Sequence, residues 1–210
     1  MIYSDTFVWL HFPKCAGTKV EKLFQDYYSG DSRIIQDSIG RINDPTISWH
    51  DSIAARELRN PQFKLGNREV ICSFRRLISW LESRYVYEQI RAKNLEHKPG
   101  LLLEGKFLEQ DGQVSHADNY VTSYLPESLL ESGKLKFIRC EHFAEDFKTV
   151  FAEHLDVSII PEEKFDEKVN TAKAALHPDI HKLLLENKNL IYSRCPYWRK
   201  VELKAYEGSQ

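Results

Sequence analysis

Residues Phe7-Val8-Trp9-Leu10-His11-Phe12-Pro13-Lys14-Cys15-Ala16-Gly17-Thr18-Lys19-Val20 confine the chain to a narrow set of folds. Phe7 to Phe12 is apolar and aromatic enough for an interior strand, Pro13 and Gly17 punctuate a turn, and Val20, Leu23, Phe24 and Tyr27 recur at helical spacing. The stretch therefore reads as a buried strand feeding a tight loop that opens a helix. The first N–H groups of such a helix have no partner within it. With the helix dipole, the Thr18 hydroxyl and the ammonium groups of Lys14 and Lys19, they favour a phosphate-like group.

The loop is not a Walker A motif. That motif ends in Gly-Lys-Ser/Thr with a second glycine upstream, whereas here Thr18-Lys19 follow Gly17 and Phe12 stands at the upstream glycine position. The chain has 210 residues, enough for one domain with a substantial core, and is expected to form one from residue 1 to residue 210. Its 29 basic and 31 acidic side chains give a net charge of −2, which excludes the broad positive field of a general nucleic-acid binder and makes any anion site local. No apolar run approaches the roughly 20 residues of a membrane span, and Met1 leads almost directly into the first strand. Cys15, Cys72, Cys140 and Cys195 lie far apart without a Cys-x-x-Cys pair. Reduced thiols in a cytoplasmic protein are the simplest reading, with a Cys140–Cys195 disulfide as the alternative.

In chain order, the pattern predicts a helix over Thr18–Tyr28, a short strand at Arg33–Ile35 and an irregular segment over 40–49. A helix over Ile53–Arg59 follows, capped by Asp51 or Ser52 and stopped by Asn60-Pro61. Glu69–Phe74 reads as a second interior strand and Leu77–Lys93 as a long helix. Residues 94–115, with Pro99-Gly100, Gly105 and Asp111-Gly112, form an excursion that could cover a cleft. Helices at Ala117–Tyr124 and Glu127–Glu131, a strand over Lys134–Cys140, and helices at His142–His154, Glu162–Ala175 and Pro178–Glu186 complete the chain. Strands separated by helices predict a three-layer α/β fold with a mostly parallel central sheet and helices on both faces.

A second constellation follows the second strand: Phe74-Arg75-Arg76-Leu77-Ile78-Ser79-Trp80-Leu81-Glu82-Ser83. A guanidinium fixed at a strand end can grip a phosphate with two N–H donors, and Ser83 offers a hydroxyl from the helix face it shares with Ser79. Pro13-Lys14-x-x-Gly17-Thr18 after an apolar strand resembles the phosphosulfate-binding loop of sulfotransferases, especially the carbohydrate sulfotransferases related to the heparan sulfate O-sulfotransferases. In that family a strand-end arginine and a serine eight positions later hold the 3′-phosphate of the donor, matching Arg75 and Ser83. The family often continues Arg-Asp-Pro or Arg-Asn-Pro and places another arginine before the serine, where this chain has Arg76-Leu77 and Trp80.

The resemblance implies a P-loop-like sulfotransferase fold and 3′-phosphoadenosine 5′-phosphosulfate as donor, with a hydroxyl-bearing acceptor, most naturally a carbohydrate, and no metal. It assigns Lys14 to the leaving phosphate oxygen, Gly17, Thr18 and the loop amides to the 5′-phosphate, and Lys19 to a further contact where the family often has a small hydroxyl residue. His50, in Ile47-Ser48-Trp49-His50-Asp51-Ser52, resembles the family's catalytic base. A histidine, with an ordinary pKa of about 6.5, suits removal of a hydroxyl proton. His11 could approach the site, while His177 and His181 could share a helix face but have no evident third ligand. Asn119 and Thr122 could bond the donor or simply stabilise a helix, and Tyr197-Trp198-Arg199-Lys200 could cover an adenine or form a packed tail. Two other classes share the strand-loop-helix cradle: a nucleotide or small-molecule kinase with an atypical loop, and a nucleotide-binding module without catalysis.

Overall fold

Phe7-Val8-Trp9-Leu10 is apolar at every position and wholly buried, so neither face of this strand meets water. A computed structural model describes residues 1–36, 50–91, 98–109, 111–167 and 178–208. The described strands are β1 (Ile2–Tyr3), β2 (Phe7–Leu10), β3 (Ile35–Gln36), β4 (Glu69–Phe74), β5 (Lys106–Leu108), β6 (Val114–His116) and β7 (Leu135–Arg139). The helices of the first half are α1 (Gly17–Tyr28), α2 (Ile53–Arg59), α3 (Leu77–Arg91), α4 (Gly100–Leu103), α5 (Ala117–Tyr124) and α6 (Glu127–Glu131). Those of the second half are α7 (Phe143–Phe151), α8 (Glu162–Asp166), α9 (Pro178–Glu186), α10 (Lys188–Arg194) and α11 (Pro196–Glu207). None of them is long and apolar enough to cross a membrane.

The chain divides into two compact units, the first comprising 1–74 and 127–170 and the second 75–126 and 171–210. The first unit is α/β. Its five-stranded sheet runs β3-β1-β2-β4-β7. β2 pairs with β4 in parallel, Phe7 opposite Glu69 and Leu10 opposite Cys72, and β4 pairs in parallel with β7. β1 is antiparallel to both β2 and β3, so the sheet is mixed rather than mostly parallel. The reason is local. Only three residues join β1 to β2, the Ser4 N–H donating to the Phe7 carbonyl at 2.9 Å, and a connection that short can return the chain only as a hairpin. Val20, Leu23, Phe24 and Tyr28 of α1 join Phe147 and Phe151 of α7 in a core over Phe7, Trp9, Ile71 and Ile138. The Phe24 and Phe151 rings lie 5.1 Å apart and the Phe7 and Phe151 rings 5.4 Å, edge to face. Trp9 satisfies its one polar atom by donating Nε1–H to Ser73 Oγ at 3.1 Å.

The second unit gathers α3, α4, the β5–β6 hairpin, α5 and α9 to α11. Trp80 of α3 sits at its centre, 4.6 Å from the Trp198 ring and 5.0 Å from Phe107. Beside it the buried Arg84 guanidinium lies over Phe107 at 4.4 Å and pairs with Glu88 and Glu109, each at 2.8 Å. The excursion expected over 94–115 thus holds a helical turn and a hairpin among its described residues, with the hairpin tied to α3 through Arg84. Burial pushes the Glu88 carboxyl up to about 7 even against the pull of Arg84. Gly105, at φ +69°, is required twice over: the left-handed turn favours glycine, and a Cβ there would stand 2.2 Å from the Cys195 sulfur. None of the four cysteines is joined in a disulfide, so the Cys140–Cys195 alternative is not formed.

Candidate active site

The loop between β2 and α1 turns twice into the left-handed region, at Lys14 (φ 65°) and Ala16 (φ 59°), neither of them glycine. Each such residue costs about 1–3 kcal/mol and persists only where surrounding structure holds it, which is characteristic of ligand clamps. Alternation of hand along a loop turns successive N–H groups toward one concavity suited to an anion. α1 opens on Ala16, whose side chain cannot cap it, and its first turn carries no acidic residue. Lys14 is half-buried beside the buried Cys15, and Thr18 is exposed on the first turn. The local handedness falls on residues the sequence does not flag, while the glycine answers a different need.

That need is space. A Cβ built on Gly17 would stand 1.9 Å from His11 Nε2 and 2.1 Å from Cδ2. His11 cannot retreat easily, because its Nδ1 lies 2.8 Å from Glu21 Oε1 in a pair whose two side chains are each 8 % exposed. The His11 ring also lies 5.2 Å from Trp9 and 4.5 Å from His50, the last nearly perpendicular at 83°. His50 itself is exposed, one residue before Asp51, which is buried and ion-paired with Arg56 and Arg59. Ser52 caps α2, its Oγ accepting from the Ala55 N–H. The first unit therefore brings Gly17 and His50 against His11, itself held by Glu21, with Lys14 and Thr18 flanking Gly17 on the same loop and first turn. Glu21 is a residue that sequence reasoning missed, since a glutamate four positions into an amphipathic helix looks like a solvated side chain.

Lys19 turns elsewhere. Its ammonium donates to the Phe165 carbonyl and lies 4.5 Å over the Phe143 ring. Burial lowers its pKa, with Asp166 and Glu167 pulling the other way. The amine thus ties α1 to the segment around α8.

In the second unit, Arg75 follows β4 directly and is half-buried, and Ser83 is half-buried on α3. Arg76 lies 3.3 Å from Glu202 and 4.1 Å over the Tyr206 ring. The α3 N-terminus is already supplied with an anion: Glu202 Oε2 accepts from the Leu77 N–H at 3.0 Å, and both Glu202 oxygens accept from Tyr192 Oη at 2.8 Å. Asp118 does the same for α11, accepting from the N–H groups of Tyr197 and Trp198 at 2.9 and 2.7 Å. Trp198 is wholly buried and Arg199 and Lys200 are exposed, so this segment is packed, as part of the helix α11. The Thr122 hydroxyl donates back to the Asp118 carbonyl, and Asn119 borders an open cleft of about 330 Å³ with Lys106, His116 and Tyr120.

His177 lies outside the described residues, and His181 pairs with Glu82 at 3.1 Å. Among the described residues, Glu69, Glu153 and His154 bring metal-competent atoms within 4.8 Å of one another. They lie at the opposite end of the parallel strands from Lys14, where His154 bonds Thr6 and Glu69 at 3.0 and 3.2 Å. No family model matches the chain, and no curated protein or solved structure is detectably similar to it.

Proposed function

We propose that the chain is a sulfotransferase that moves a sulfuryl group from 3′-phosphoadenosine 5′-phosphosulfate to a hydroxyl, with carbohydrates as the acceptor class and a P-loop-like sulfotransferase architecture. The observation that carries this reading is the β2–α1 junction, where left-handed backbone at Lys14 and Ala16 and an uncapped helix start share one loop that adjoins two histidines. In this reading the loop amides and Thr18 hold the 5′-phosphate, and Lys14 neutralises charge developing on the leaving oxygen. Arg75 and Ser83 take the 3′-phosphate. His50 removes the acceptor proton as the hydroxyl oxygen attacks sulfur. The Lys19 ammonium gives one of its three N–H groups to the Phe165 carbonyl and adds the further donor contact with another. The chemistry calls for no metal, since a sulfuryl group carries less charge than a phosphoryl group. A reducing cytoplasm suits four cysteines outside any disulfide.

The test is a transfer screen with the sulfur-labelled donor against sugars, phenols and small alcohols. Label should move to a hydroxyl acceptor, sugars first. Binding of the desulfated nucleotide without transfer to any acceptor would make the chain a binding module, and magnesium-dependent ATP turnover would make it a kinase.

A further inference from the structure

Beside the loop, His11 and Glu21 form a buried titratable pair that the transfer chemistry leaves unused. A carboxylate only accepts, so a neutral His11 bonded to it carries its proton on Nδ1 and turns Nε2 toward the other side of the ring. That side lies against Gly17, where even one added carbon would come within 1.9 Å of Nε2. The ring is also bounded by Trp9 and, edge to face, by His50. One buried imidazole therefore touches both parts of the site, the glycine of the anion loop and the histidine assigned as base.

We infer that His11 and Glu21 are positioning residues. Glu21 fixes the tautomer and rotation of His11, and His11 sets the place of Gly17 in the loop and the orientation of the His50 ring. The catalytic consequence rests on the sulfate-transfer reading; the geometric one does not. During transfer the acceptor hydroxyl gives its proton to His50 as its oxygen bonds to sulfur. The bond from sulfur to the phosphate oxygen breaks, and its electron pair stays on that oxygen. The imidazolium formed at His50 then faces a neutral ring backed by a carboxylate, so its positive charge is opposed by Glu21 through His11.

The experiment uses the full chain labelled with nitrogen-15 in histidine. Long-range proton–nitrogen correlations should show His11 of the wild type with its proton on Nδ1. Glu21→Gln retains a hydrogen-bonding group, removes the charge and can either donate or accept, so it should mix the His11 tautomers and shift the His50 ring signals. With 3′-phosphoadenosine 5′-phosphate as probe, its affinity should stay within about twofold of wild type while kcat for labelled-sulfate transfer falls about 10- to 100-fold, the range expected when a partner that orients a reactive group is lost. Glu21→Asp should recover part of that loss.

A wild-type His11 carrying its proton on Nε2 would overturn the inference without any variant. So would a folded Glu21→Gln protein with unchanged His50 signals and unchanged kcat. If the wild type transfers no sulfate to any acceptor, the transferase reading falls, and the His11 tautomer and the His50 signals still decide the positioning claim.

Discussion

Two strand-to-helix junctions, β2 to α1 and β4 to α3, look alike in sequence, each an apolar strand running into a basic turn. They differ in what answers the positive end of the helix. At α3 the protein supplies its own anion, with Glu202 accepting from the Leu77 N–H and from Tyr192 and lying beside Arg76. α11 repeats the arrangement with Asp118. At α1, among the described residues, Ala16 makes no side-chain cap and the first turn carries no acidic residue, while Lys14 and Ala16 hold left-handed backbone that nothing in their side chains favours. A helix start closed by an internal carboxylate is a structural joint; in the transferase reading, one left to backbone amides in a strained loop takes its anion from outside. The contrast separates Arg76, which is part of the joint, from Arg75, which the transferase reading assigns to the donor.

The largest effect that would sharpen this contrast lies at the open junction. His50→Ala should lower sulfate transfer about 100- to 10,000-fold while leaving nucleotide affinity nearly unchanged in calorimetry. The wild-type rate should fall as pH drops through the imidazole range, and the variant should lose that limb. Near-normal turnover would remove His50 from the chemistry. Arg75→Ala comes next. It should weaken binding of 3′-phosphoadenosine 5′-phosphate by about 1.5–3 kcal/mol, a charged hydrogen bond's worth, with little effect on the analogue lacking the 3′-phosphate. Equal losses for both nucleotides would dissolve the distinction from Arg76.

The closed junction should answer in stability instead. Glu202→Ala leaves the Leu77 N–H and the Tyr192 hydroxyl without their acceptor and should cost about 1–3 kcal/mol in denaturant unfolding, with nucleotide affinity unchanged. A loss of affinity with full stability would mean that the two junctions are not different in kind. The smallest effect is a pH dependence on α3. Glu88, raised from the usual 4.5 to about 7 by burial, binds a proton more tightly folded than unfolded. Its contribution to stability is therefore full below about 4.5 and is lost as pH rises through about 7. Glu88→Gln should flatten that part of the melting-temperature profile.

Much of the framework was legible where one element carries its own signal. The spans of α2, α5, α6 and α9 follow from apolar spacing and from punctuation such as Ser52, Asn60-Pro61 and Pro178. The two-residue β1 was not, because two residues show no period and a strand that short is defined only by its neighbour. The β5–β6 hairpin and α11 were missed for a related reason: turn residues such as Gly105 and Asp111-Gly112 masked short strands, and Tyr197 to Lys200 read as a tail although Pro196 begins a helix there. Within the site, Lys14, Gly17, Thr18 and His50 stood out by motif. Glu21 and Glu202 did not, since a glutamate on an amphipathic helix announces nothing until the fold brings His11 or the Leu77 amide against it. Lys19 shows the converse, a cation that looks solvated in sequence and donates to a carbonyl 146 positions away.

The central claim is that the amides of the β2–α1 loop take an external anion and that the Leu77 amide, already held by Glu202, does not. Backbone amide shifts during titration with adenosine 5′-phosphate, which lacks the phosphate assigned to Arg75 and Ser83, test it most directly. The account predicts large, saturable shifts at the amides of Lys14 to Lys19 and small ones at Leu77 and Ile78. Saturation of binding with the loop amides unmoved would contradict it.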